Sequence, residues 1–174
     1  ICRQERAGVN IADGFSRINN GKKIGVFAMQ SGPGTENAFS GVAQAYADSV
    51  PILLLPGGPD RDRIGVSPVF TGLDNYGQIT KRNDMVNLVE RIPEMMRRAF
   101  SSLRHGKLGP VMVELPKDIA SADLPEEAFH YVPVKGHKTA GDQQDVKEAI
   151  GLIKKSQNPI LWAGQGVFYG EAWD

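Results

Sequence analysis

The chain has 174 residues, 41% hydrophobic and 23% charged, the balance of a globular domain rather than a disordered or fibrous chain. Twenty Lys and Arg offset twenty Asp and Glu, so formal net charge is zero, and no nucleic acid or membrane is expected as a partner. One cysteine (Cys2) and three scattered histidines (His105, His130, His137) build neither a disulfide framework nor a metal site, no apolar run reaches the roughly 18 residues of a membrane span, and no secretory pattern opens the chain, which makes the cytoplasm the default location.

Residues 5–18 place Gly8, Ile11, Ala12, Phe15 and Ile18 at spacings of three and four, which predicts a helix with that face inward. Gly8 and Ala12 are small and suit close approach to a sheet, and Gly21 ends the helix. Residues 24–29, IGVFAM, read as a strand buried on both faces. A glycine turn follows, then a helix over 35–49 with Ala38, Val42, Ala45 and Tyr46 inward. Residues 51–55, PILLL, form another buried strand, ended by Pro56-Gly57-Gly58-Pro59. Residues 60–77 lack a period and read as a long loop. Residues 78–82, QITKR, suit a short polar strand near an edge. Residues 89–103 are helical, with Ile92, Met96, Ala99, Phe100 and Leu103 on one face and Pro93 tolerated in the first turn. Residues 110–115, PVMVEL, are a strongly apolar strand ended by Pro116-Lys117-Asp118. A Pro-, Gly- and His-bearing linker covers 121–141; a helix over 142–156 turns Val146, Ala149, Ile150 and Ile153 inward, and a strand over 159–163, PILWA, precedes Gly164-Gln165-Gly166.

Helices alternating with buried strands predict an α/β fold, a parallel sheet with helices on both faces. Ligands bind beyond the carboxyl ends of such strands, which here are the loops after residues 29, 55 and 115. The first holds Ser31-Gly32-Pro33-Gly34-Thr35-Glu36-Asn37. Gly32 and Gly34 permit positive φ or close approach, Pro33 stiffens the turn, and Thr35 is placed to cap a helix whose first amides are free. Asn37 stands where GxGxxG needs glycine, no Gly-Lys-Ser/Thr follows, and Met29 excludes a GxSxG elbow. The turn therefore reads either as tight strand-helix packing or as the wall of a site. Glu5, at a helix start, is either a dipole-favoured charge or a catalytic carboxylate.

Four motifs together resemble the thiamin diphosphate enzymes of the acetolactate synthase and pyruvate oxidase type. In RQERAGVNIADGFSR (3–17), Arg3, Glu5, Ala12, Asp13, Gly14, Phe15 and Arg17 match the stretch that carries the family's catalytic glutamate. Residues 31–37 resemble its Ser-Gly-Pro-Gly-x-x-Asn, residues 45–51 its Ala-Tyr-x-Asp-Ser-x-Pro, and residues 109–118 its Gly-Pro-Val-x-Val-x-Leu-Pro-Lys-Asp. The resemblance implies a pyrimidine-binding domain over 1–120 without its first strand, the linker, and the start of the middle domain over 142–174. With isoleucine at position 1 and a fresh strand-and-turn pattern near the end, the chain is expected to be part of a longer protein.

By the same resemblance Glu5 is catalytic. A carboxylate on N1′ of the aminopyrimidine favours the tautomer that removes the thiazolium C2 proton, and the activated cofactor then attacks a 2-oxo acid, which loses CO₂. Gln30, Pro33 and Asn37 are the cofactor-binding candidates, with Gln30 facing substrate or bracing the loop. Mg²⁺ and the diphosphate are expected on a domain outside this chain, since no Gly-Asp-Gly occurs and Gly141-Asp142 is followed by Gln143. FAD, which some relatives bind through the middle domain, stays open, as does the choice between homodimer and homotetramer. Gln4 replaces the usual histidine, and Thr71-Gly72 follow Phe70 where acetolactate synthases have Gln-Glu. These departures keep other acyl donors in play (sulfoacetaldehyde, oxalyl-CoA or an aldehyde), beside a non-catalytic ligand-binding remnant.

Overall fold

The computed structural model describes residues 1–68, 70–137 and 139–173. The chain divides into two units, Ile1–Gly136 and His137–Asp174.

In the first unit, parallel strands β1 (Gly25–Met29), β2 (Ile52–Gly58), β3 (Arg82–Met85) and β4 (Val111–Pro116) form a sheet of order β1-β2-β4-β3. Strand register sets Phe27 beside Leu54 and Leu54 beside Met112. The helices are α1 (Glu5–Ile18), α2 (Pro33–Ala47), α3 (Gly72–Tyr76), α4 (Ile92–Arg104) and α5 (Lys117–Ala120), with short 3₁₀ turns at Arg61–Arg63, Val89–Arg91 and Glu126–Ala128.

Period-two alternation sends neighbouring strand residues to opposite faces, and two apolar cores result. Ile52, Leu54 and Met112 pack with Val9 and Ala12 of α1 and with Ala38, Val42 and Ala45 of α2. Leu53, Val111 and Val113 pack with Met95, Ala99 and Leu103 of α4. The sheet thus carries helices on both faces, as the alternating pattern predicts. Burying each large aliphatic side chain contributes about 1.5–3 kcal/mol. The close fit of α1 depends on Gly8, where a Cβ would stand 2.1 Å from the Phe27 ring. Ser16, fully buried, donates to Pro51 O at 2.6 Å and accepts from Gly25 N at 2.8 Å, joining α1 to the starts of β1 and β2. Arg17 pairs with Asp13 on its own helix and with Asp48 at 2.7 Å beyond α2, and the Asp13 hydrogen bond holds its guanidinium more firmly charged.

Several elements differ from the sequence expectation. The buried face of α1 is Gly8, Val9, Ala12, Asp13 and Ser16, while Ile11, Phe15 and Ile18 are exposed. The smaller residues face the sheet because backbone approach there leaves no room for Ile or Phe. β1 has an edge position and β2 as its neighbour, so Val26 and Ala28 are exposed rather than buried. α2 starts at Pro33, which puts Thr35 inside the helix instead of at its cap, and Tyr46 faces outward. β2 continues through Gly58. β3 begins at Arg82, four residues after the predicted start, and is the sheet's other edge. Residues 77–79 form the turn that closes α3, with Ile79 N donating to Tyr76 O at 3.0 Å, so the ladder begins only after Lys81, whose N donates to Pro110 O at 2.8 Å and whose ammonium donates to Ser102 O and His105 O. The predicted 60–77 loop contains α3, fixed by fully buried Tyr76.

The second unit holds α6 (Gln143–Lys155) and α7 (Gln165–Gly170). Asp142 caps α6, accepting from Gln144 N at 2.8 Å and Asp145 N at 3.2 Å. Val146, Ala149, Ile150 and Ile153 are exposed, against expectation. Residues 159–163 are not a strand, and Ile160, Leu161 and Trp162 are exposed. A strand exists only beside a hydrogen-bonded neighbour, and among the described residues of this unit none is present.

Candidate functional site

The first turns of α1 and α2 meet beside the carboxyl end of β1. Glu5 is the first residue of α1, where the free amides and helix dipole favour a negative charge by about 0.3–1 kcal/mol. α2 begins from Gly32, at φ 65° and ψ −108°, a left-handed conformation open to glycine. Pro33 sits in the first turn, where its missing N–H costs nothing. Gly34 is buried against both partners: a Cβ there would lie 3.0 Å from Gln30 Cβ and 3.4 Å from Glu5 Oε1. On the next turn, Asn37 Nδ2 donates to Glu5 Oε2 at a long 3.4 Å. A groove of about 480 Å³ beside it is lined by Gln4, Arg6, Glu36, Asn37, Phe39 and Ser40. Glu5 does not line this groove; its carboxylate lies on the Gly34 side of Asn37.

The structure therefore brings together Glu5, Asn37 and, through Gly34, Gln30. The Gln30 side chain is exposed, and its carbonyl accepts from Thr35 Oγ1 at 3.2 Å, which ties the strand end to α2. Pro33 is exposed and shapes the turn. Within this chain Glu5 is partly exposed. With one long hydrogen bond, its carboxylate keeps capacity for a further donor. That suits a protonated ring nitrogen such as the aminopyrimidine N1′. Among the described residues no group of three or more His, Cys, Asp or Glu is placed to hold a metal ion.

Two further features at the carboxyl ends of the strands escape the sequence reading. Arg61 donates from its backbone N and Nε to Asp118, at 3.1 and 2.5 Å, and from its guanidinium to Asn87 O at 2.6 Å. It thereby ties the segment after β2 to those after β4 and β3, and its hydrogen bond holds the Asp118 carboxyl below the usual range. Glu114, inside apolar β4, is 7% exposed. A charge in the middle of PVMVEL is the signal that marks it in sequence. Arg61 has no such signal, because its partners are 26 and 57 residues away.

Among the described residues no helix is long and apolar enough to cross a membrane. Residues 1–86 match the family described as thiamine pyrophosphate enzyme, N-terminal TPP binding domain. Residues 1–86 thus belong to this family of thiamin diphosphate-binding domains, and the relatives similar to the chain are acetolactate synthases. It is 37% identical over 181 residues to a probable acetolactate synthase large subunit of Methanocaldococcus jannaschii, an alignment covering 99% of this chain and 30% of the relative. It is 33% identical to the acetolactate synthase large subunit of Haemophilus influenzae, over 98% of the chain and 30% of the relative. To the isozyme 3 large subunit of Escherichia coli it is also 33% identical, over 95% of the chain. The chain thus spans about 30% of the length of the curated relatives it matches.

Proposed function

We propose that the protein is a thiamin diphosphate-dependent enzyme of the acetolactate synthase type, which decarboxylates a 2-oxo acid and joins the remaining acyl unit to an acceptor. On this reading residues 1–120 are the pyrimidine-binding domain, 121–141 a linker and 142–174 the start of the middle domain. The observation that carries it is the Glu5 carboxylate, set at the start of α1 against Gly34 and Asn37 of the glycine turn. When bound, the cofactor supplies the nucleophilic carbon and the electron sink. Glu5 would share a proton with N1′, giving it to the ring as the imino tautomer forms and taking it back afterwards. Asn37 orients that carboxylate, Gly34 lets it approach α2, and Gln30 and Pro33 form the adjoining wall.

Mg²⁺ and the diphosphate are assigned to residues beyond this chain, and FAD, if used, to the middle domain. A cytoplasmic homodimer or homotetramer acting on a small 2-oxo acid completes the proposal by resemblance to the family. A second reading, another acyl donor such as sulfoacetaldehyde, oxalyl-CoA or an aldehyde, is favoured by one observation. Thr71 and Gly72 stand where acetolactate synthases carry Gln-Glu, and a Cβ at Gly72 would stand 2.9 Å from Glu114 Oε2, so a larger residue there displaces the end of that side chain.

The test uses full-length protein assayed with pyruvate, other 2-oxo acids and the alternative donors, with and without thiamin diphosphate and Mg²⁺. Cofactor-dependent turnover is expected, with Glu5→Gln lowering kcat by about 10²–10⁴-fold at an unchanged melting temperature. Near-normal turnover in Glu5→Gln overturns the role of Glu5. No turnover of any donor by the wild type leaves the non-catalytic remnant as the answer.

A further inference from the structure

Glu114 is a carboxylate in surroundings made for an apolar residue. It follows Val113 on β4, is 7% exposed, and among the described residues receives no hydrogen bond or ion pair at its carboxyl. Its oxygens stand against backbone instead. A Cβ at Gly58 would lie 2.8 Å from Oε1, and one at Gly72 would lie 2.9 Å from Oε2. Gly58 ends β2 and Gly72 begins α3, so the carboxyl sits between the departure and the return of the segment that carries Arg61. Arg61 holds that segment to Asp118 and Asn87, across the ends of β4 and β3. Asn83 Nδ2 also holds the first turn of α3, donating to Leu73 O at 2.6 Å, and the far end of α3 is fixed by Tyr76 Oη donating to Thr35 O at 2.5 Å. Gly72 also abuts Thr35, where a Cβ would be 3.5 Å from Cγ2, and Thr35 follows the Gly34 that touches Glu5.

We propose that Glu114 is a positioning residue: its carboxyl, wedged between Gly58 and Gly72, seats the first turn of α3 and thereby fixes the Arg61 segment across the carboxyl ends of the sheet. The seat works with an uncharged carboxyl. Burial first, and the charge of Asp74 on α3 second, push Glu114 up from the ordinary glutamate range. Thr71 Oγ1 donates to Asp74 Oδ2 at 2.6 Å and keeps that charge near. On β3, Arg82 and Asp84 pair with each other; beyond the strand ends Arg61 pairs with Asp118. Gly58, Met112 and Thr35 bring no charge. Ionisation therefore places an unpaired charge in a largely buried seat beside another carboxylate, and lifting the start of α3 relieves it. The seat is closed in acid and loosens as pH rises through the raised value.

The proposal deepens the proposed function by naming what walls the site, but the seating is a property of the fold and is read without activity. Hydrogen exchange of the full-length protein is measured across pH for wild type, Glu114→Gln and Asp74→Asn, comparing variants at each pH so that intrinsic exchange cancels. One linked proton makes the opening constant rise by at most about tenfold per pH unit. Expected is a rise, within that limit, for wild-type amides around Arg61 and residues 72–77, absent in Glu114→Gln and smaller in Asp74→Asn. Equal protection of wild type and Glu114→Gln at every pH overturns the seat, as does a rise spread evenly over the molecule. Loss of the seat with Glu5→Gln inactive leaves the proposed chemistry standing; a confirmed seat with Glu5→Gln active does the reverse.

Discussion

Asn37 Nδ2 donates to Glu5 Oε2 at 3.4 Å, so the two helix starts that flank the glycine turn are joined by a side-chain contact between residues 32 apart in sequence. The bond is long and exposed, and it orients the carboxylate without anchoring the fold. Asn37→Ala is accordingly expected to change stability by no more than about 0.5 kcal/mol. If the contact positions Glu5 during turnover, kcat falls by roughly 2–12-fold, the worth of one modest hydrogen bond. Steady-state kinetics beside a urea melt separates the two, and an unchanged kcat assigns Asn37 no part in orientation.

Gly34 is the tightest point of the site. Gly34→Ala places a methyl 3.0 Å from Gln30 Cβ and 3.4 Å from Glu5 Oε1, so α2, Gln30 or Glu5 must shift. Overpacking of this kind costs about 1–3 kcal/mol. A weaker affinity of the full-length protein for thiamin diphosphate, followed by titration calorimetry, is the expected functional sign. Unaltered affinity would show that the Glu5 position has slack.

Ser16 serves one buried donor and one buried acceptor, Gly25 N and Pro51 O. Ser16→Ala leaves both without this partner, at about 1–3 kcal/mol for each that finds no water. Chemical denaturation should show a lower midpoint with the same slope. A stability within experimental error of wild type would mean that water replaces the hydroxyl.

Tyr76 Oη donates to Thr35 O at 2.5 Å, its ring stands edge-on to Phe39 at 5.4 Å, and burial pushes its phenol up. Tyr76→Phe keeps the ring contact and removes the hydrogen bond, for an expected loss of about 0.5–1.5 kcal/mol. Faster hydrogen exchange in α3 than in α4 is the local signature; equal change in both would make the effect global.

Glu114 adds a pH term to stability. Its folded-state value is raised, so its contribution is fully present below the ordinary glutamate value and is lost as pH rises through the raised one. Glu114→Gln should therefore gain stability relative to wild type on going from acid to mildly alkaline solution. Urea midpoints of both proteins across that window check it, and a difference independent of pH contradicts the sign.

The amino-acid sequence by itself determined the alternation of helices and strands, the parallel α/β class, the starts of α1 and α6, and the family. These follow from local periodicity, punctuation by Gly and Pro, and motifs that lie in order along the chain. It also singled out Glu5 and Asn37, because each belongs to such a motif. Tertiary structure alone decided which faces are inward. Ile11, Phe15 and Ile18 fit a helical stripe as well as Val9, Asp13 and Ser16 do, and only packing against β1 at Gly8 selects the second set. β3 was displaced because the strand bonds by register with β4, a choice made by a partner about thirty residues on. The 159–163 run, apolar enough for a strand, has no neighbour to pair with among the described residues. Glu114 and Arg61 acquire their roles in the same way: a buried carboxyl between two glycines and a guanidinium spanning three segments are relationships through space, and spacing along the chain does not encode them.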